Sequence, residues 1–172
     1  MENQKVTTGK YALNYGLILG AISIAFSLML FFLDMHYKQS TTGTVVGILI
    51  SASVIMAGLI AFRKANEGFI SLSEALKLGL GITLVSLILG WIYYFVLSNL
   101  LDPEMVEKRI QHGLEQAKVE NPGLSQEVLD QQYEMTKKFY WVGYIVAVFI
   151  QFLIGFLISL IGGLIIKKSK PE

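Results

Sequence analysis

The run from Leu78 to Leu100 contains no charged residue, and it constrains the fold more than any other stretch of the chain. At about 1.5 Å of rise per helical residue, roughly 20 apolar residues cross the hydrocarbon core of a bilayer. Three further segments qualify on the same measure: Tyr11 to Leu33, Thr44 to Phe62 and Phe139 to Ile166. Backbone groups inside lipid must be satisfied within their own segment, so each run is expected to be helical. The two-residue alternation of a membrane barrel strand is absent. The expected fold class is an all-α membrane protein, with four transmembrane helices at 11–33, 44–62, 78–100 and 139–166. An external helical hairpin at 101–138 joins spans three and four, and the whole of 1–172 reads as one integral membrane domain.

Composition supports lipid as the solvent, because 53% of the residues are hydrophobic, more than a chain of this length readily hides in one aqueous core. The first run follows Lys5 and Lys10 as a signal peptide would. It outlasts the roughly 7–15 residues of a signal core, however, and lacks a cleavage site, so it reads as a retained span. Orientation follows from the basic residues. Lys5 and Lys10, then Arg63, Lys64 and Lys77, then Lys167, Lys168 and Lys170 fall on one side, against Lys38 alone in the short first connection. The positive-inside rule places both termini in the cytoplasm and the 101–138 connection outside. Lys137 and Lys138, beside span four, oppose that assignment. Tyr37, Tyr93, Tyr94, Tyr140, Trp141 and Tyr144 gather toward the outer ends as headgroup-level aromatics, whereas Trp91 lies deeper and is expected between helices.

Local signals mark the helix ends. Ser71 and Glu74 have the spacing of a capping box at the entry to span three, and Glu74 and Lys77 stand three apart, close enough to pair or to meet headgroups. Asp102-Pro103-Glu104 reads as N-cap, N1 proline and acidic first turn. Val106, Ile110, Leu114 and Ala117 then share one helical face. Asn121-Pro122-Gly123 breaks that helix, and Ser125 opens a second arm expected to run uninterrupted into span four. The hairpin carries eight acids against five bases, the balance of a solvated surface.

Small residues recur at helical spacing. Gly16, Gly20, Ser23 and Ser27 in span one match Gly79, Thr83, Ser86 and Gly90 in span three, a stripe that lets another helix approach closely. Spans two and four both end in Gly-Leu-Ile followed by basic residues, so a duplicated helical hairpin is one reading of the pattern and coincidence the other. Gln151 is the deepest strongly polar side chain. With Ser23, Ser86 and either Ser51 or, as the preferred choice, Ser53, it would form a polar layer across the bundle. Such a layer serves as interhelical glue or as a solute site.

No catalytic pattern accompanies these features. The chain has no cysteine, which removes thiolate chemistry and Cys-ligated metals, and its net charge of +1 with no basic, aromatic-interleaved cluster argues against a nucleic-acid partner. His36 and His112 lack metal-ligand spacing and are expected to be solvent-exposed. No nucleophile elbow, phosphate loop or buried ionisable pair occurs in a span, so no enzyme activity, cofactor or metal is expected.

Phe62-Arg63-Lys64, Gly68-Phe69-Ile70-Ser71, Glu74-Ala75-Leu76-Lys77-Leu78-Gly79 and the later Asp102-Pro103 resemble a family of small bacterial four-span membrane proteins, the domain of unknown function 4199. The resemblance implies a single four-helix domain in a bacterial inner membrane and brings no activity, ligand or site residue. The expectation is therefore a non-enzymatic structural, scaffold or accessory membrane component, whose partners are the lipid bilayer and either a second copy or another membrane protein. The alternative is a small oligomeric transporter or channel that uses the mid-membrane polar layer.

Overall fold

A computed structural model describes residues 6–38 and 40–168; Lys5 and Lys170 of the orientation argument lie outside the described residues. Four helices are long and apolar enough to cross a membrane. They are α1 (Thr8–Phe32), α2 (Thr41–Ala65), α3 (Leu72–Val96) and α6 (Tyr140–Ile166), and two shorter helices, α4 (Met105–Glu120) and α5 (Gln126–Lys138), form the hairpin. Three spans start or end several residues beyond the charge-free runs, because polar caps carry the helices past the apolar stretch. Thr7 caps α1, Ser40 caps α2, and Ser71 with Glu74 closes a complete capping box on α3. Among the described residues no strand forms; the nearest feature is one bridge, Ile70 N–H to the Lys168 carbonyl at 3.0 Å and Lys168 N–H to the Ile70 carbonyl at 2.9 Å. That bridge ties the α2–α3 connection to the end of α6.

The spans pack in a ring, α1 on α3, α3 on α6, α6 on α2 and α2 on α1. Close approaches give the directions. Gly16 meets Val85 and Gly20 meets Leu89, so α1 and α3 run parallel; Gly79 meets Ser159 and Gly155 meets Thr83, so α3 and α6 run antiparallel. The matching stripes of spans one and three thus do not pack on each other. The α1 stripe takes α3, and the α3 stripe takes α6.

Burial divides the bundle into two halves. The sealed core, Leu19, Ile55, Leu59, Phe62, Leu78 and Ile82, lies toward the end that carries both chain termini, here called the terminal end. Burial on α6 comes from Gly155, Ser159, Gly162 and Gly163, all in its last half, while α2 is buried only from Ser51 onward. Tight packing follows from missing side chains. A Cβ on Gly79 would stand 2.6 Å from the Ser159 Cβ, and one on Gly155 would stand 3.1 Å from the Thr83 Cβ, so only glycine lets these backbones meet. Helices in lipid gain little from the hydrophobic effect against one another; this close dispersion contact holds the terminal end together.

The hairpin end is arranged differently from the reading of its sequence. Asp102 is not an N-cap. The chain leaves α3 through a π-helical turn, Leu97–Leu101, passes Asp102-Pro103-Glu104 as a turn closed by Met105 N–H to the Asp102 carbonyl at 3.0 Å, and begins α4 with Glu104 as its cap. The Asp102 carboxylate is thereby released for long-range partners. The second arm is not continuous with the last span either. Phe139, at φ −105° and ψ 16°, separates α5 from α6. The two arms are joined by Tyr133, whose hydroxyl donates to the Glu107 carboxylate, and by Lys137, whose Nζ lies 3.7 Å from the same carboxylate.

Candidate functional site: a roofed cavity at the hairpin end

The small-residue stripes change role halfway along the bundle. Gly16, Gly20, Gly79 and Thr83 make close helix contacts, whereas Ser23, Ser27, Ser86 and Gly90 line a cavity of about 610 Å³ between the four spans. A Cβ on Gly90 would meet nothing within 4 Å. The volume falls within the roughly 300–1,000 Å³ typical of small-molecule sites. Its walls are mainly apolar, with Phe26, Leu30, Leu87 and Val148 among them.

The predicted polar layer is present only in part. Ser23, Ser86 and Gln151 line the cavity, but Ser53 is exposed on the far side of α2 and donates to the Leu49 carbonyl at 2.8 Å. Ser51 takes its place in the cavity wall. The two serines are two residues apart, roughly 200° around a helix, so choosing between them required the rotational phase of α2. Both inward serines spend their hydroxyls on their own helices, Ser51 on the Gly47 carbonyl and Ser86 on the Thr83 carbonyl, each at 2.9 Å. Gln151 lines the wall with no hydrogen-bond partner among the described residues.

At the other boundary of the cavity is a polar roof that sequence reasoning missed. His36, expected in solvent, has a side chain only 5% exposed, and its Nε2 lies 2.8 Å from Asp102 Oδ2. Lys108 Nζ donates to the other carboxylate oxygen, also at 2.8 Å, and Arg109 Nη2 donates to the His36 carbonyl at 3.2 Å. Burial pushes the Asp102 pKa up, but the hydrogen bonds from Lys108 and His36 outweigh it and hold the carboxyl below its ordinary value. Asp102 is therefore ionised and only accepts, which makes His36 Nε2 the donor. One signal for this roof was available in the sequence, since Met105 and Arg109 are one helical turn apart and both reach the cavity.

Among the described residues, three polar atoms at this roof are buried and lack a hydrogen-bond partner: His36 Nδ1, Tyr93 OH and Arg109 Nε. All three residues line the cavity. Tyr93, Tyr94 and Tyr144, placed by the sequence at the headgroup level, thus turn toward the cavity, with the Tyr94 and Tyr144 rings 4.7 Å apart. Trp91, expected between helices, is 52% exposed while its ring contacts Tyr144 at 5.5 Å. The roof residues Leu97 and Met105 are buried, whereas the wall residues Ile48 and Ile150 are 39% and 51% exposed. The cavity is therefore covered by Leu97 and Met105 at the hairpin end and reaches the flank of the bundle at Ile48 and Ile150.

The helix-entry residues lie at the opposite end. Glu74 accepts from the Ser71 amide and hydroxyl, both at 2.8 Å, and makes no ion pair with Lys77 among the described residues. Among the described residues no group of three or more His, Cys, Asp or Glu is placed to hold a metal ion.

Four long apolar helices define a multi-pass helical membrane protein. The chain belongs to the family described as protein of unknown function (DUF4199), whose model matches residues 14–168. No curated protein and no solved structure matches it.

Proposed function

We propose that this protein is a non-enzymatic accessory component of the membrane that binds an apolar or amphiphilic molecule in its hairpin-end cavity. The observation that carries this reading is the division of the bundle, glycine-locked at one end and hollow at the other. The cavity lining supports binding rather than chemistry, because the inward hydroxyls of Ser51 and Ser86 are donated to carbonyls of their own helices. In detergent, a neutral long-chain monoacylglycerol is expected to raise the thermal midpoint of the protein. Gly90→Leu, which fills the cavity, is expected to abolish that shift. An equal shift in the variant would defeat the reading.

The basic residues Arg63, Lys64, Lys77, Lys167 and Lys168 lie at the terminal end, which supports a cytoplasmic location for both termini in a bacterial inner membrane. The hairpin then stands outside, where exposed Val119 and Met135 are available to a second copy or to another membrane protein.

A second reading, a small oligomeric transporter or channel, is favoured by Gln151 in the cavity wall. It requires a path past the Gly79–Ser159 and Gly155–Thr83 contacts, which fill the terminal half. Solute flux into liposomes, compared with Gln151→Leu, tests it; flux that falls in the variant would favour transport over binding.

A further inference from the structure

The roof has the chemistry of a headgroup site. A buried polar atom without a partner costs about 1–3 kcal/mol, and among the described residues three such atoms belong to side chains of residues that line one cavity. Arg109 Nε–H can only donate, Tyr93 OH donates or accepts, and His36 Nδ1 accepts in the neutral ring and donates in the charged one. The charges are also uneven. Asp102 is committed to His36 and Lys108, while among the described residues no carboxylate pairs with Arg109. The guanidinium is held in place by the His36 carbonyl and leaves Nε–H for something else.

Below the roof the surroundings become apolar, and the cavity reaches the flank of the bundle at exposed Ile48 and Ile150, where hydrocarbon would lie. A hydrophilic anion would have to pass that flank, whereas a molecule already in the bilayer would enter tail and all. We propose that the cavity takes the acyl portion of a membrane lipid whose anionic headgroup, a phosphate or a carboxylate, sits against Arg109, Tyr93 and His36. This assignment rests on the cavity reading above and adds the class of ligand. Small side-chain turns that uncover Arg109 Nε–H and Tyr93 O–H let the headgroup oxygens accept from them, and the chain lies along Leu87 and Val148 in place of hydrocarbon solvent.

The experiment is native mass spectrometry of the full chain, released from detergent in the presence of equimolar phosphatidylglycerol and phosphatidylcholine with identical acyl chains. The expected result is one retained phosphatidylglycerol per chain, preferred about tenfold over the zwitterionic lipid, the scale of a charge-assisted hydrogen bond in a dry site. Arg109→Gln is expected to bring the preference near parity, and Tyr93→Phe, which keeps the ring and its packing, to lower it about threefold. Gly90→Leu is expected to lose both lipids. Equal retention of the two lipids by the parent protein would overturn the headgroup assignment and leave the cavity reading standing. Unchanged retention by Gly90→Leu would overturn both. Displacement of the retained phosphatidylglycerol by excess inorganic phosphate would show a free-anion site and overturn the membrane source. An unchanged preference in Tyr93→Phe together with Arg109→Gln would remove these side chains from the site.

Discussion

His36 and Asp102 are 66 residues apart in the chain and 2.8 Å apart in space. One lies between α1 and α2, the other between α3 and α4, so their contact joins the two halves of the chain at the hairpin end. Lys108 on the same carboxylate and Arg109 on the His36 backbone extend the link into α4. Removing Asp102 leaves a buried imidazole N–H without an acceptor, while Lys108, about a third exposed, can return to water. Asp102→Ala is expected to cost about 2 kcal/mol of stability, measured by reversible denaturation in mixed micelles.

The same carboxylate sets a pH dependence. A carboxyl whose folded pKa lies below its unfolded value contributes stability that is complete above the unfolded value of about 3.9 and is lost as pH falls through the folded one. Asp102 is such a group. The stability difference between the parent and Asp102→Ala is expected to be constant from neutral pH to about 5 and to shrink below about 4. Thermal melts across that range check it; a gap that widened below about pH 4 would contradict the pairing.

Glycines at the two ends of α3 should respond oppositely to alanine. Gly79→Ala pushes a methyl group into the Ser159 Cβ and is expected to cost about 1–3 kcal/mol. Gly90→Ala enters open space and is expected to be neutral or to gain up to about 1 kcal/mol from helix propensity. Unfolding of the two variants side by side reads the difference. Equal losses would mean that Gly90 is packed.

The hairpin is a local unit of its own. Glu107 is held below its ordinary pKa, first by the Tyr133 hydroxyl and then by Lys137 against some desolvation, which marks the α4–α5 brace. Tyr133→Phe is expected to speed amide exchange throughout α5 without moving the thermal midpoint of the bundle. Hydrogen exchange resolved by peptide checks this; unchanged exchange in α5 would place the brace elsewhere.

The parts of this fold that were legible in the sequence are those whose physics is local. Charge-free runs specify spans, and Ser71 with Glu74 specifies a helix entry, because lipid and capping act on neighbouring residues. The candidate site was legible only in outline. Ser23, Ser86 and Gln151 were placed together by depth alone, but Ser53 stood in for Ser51 because depth carries no rotational phase. His36 looked exposed because nothing within sixty residues of it announced Asp102, and Asp102 looked like a cap because Asp-Pro before a helical pattern has that local meaning. Gly79 and Gly90 belong to one stripe in the sequence. Whether a small residue admits a neighbour or leaves a hollow is decided by the opposite helix.

The most direct test of the divided bundle is photolabelling in the native bilayer with a small apolar diazirine dissolved in the lipid, followed by peptide mass spectrometry. Leu30, Leu87 and Val148 in the cavity wall are expected to take label, whereas Ile55, Leu59 and Ile82 at the sealed end stay unmodified. Labelling absent from both groups would show that the hairpin half is closed to lipid, and the account of an open cavity would be wrong.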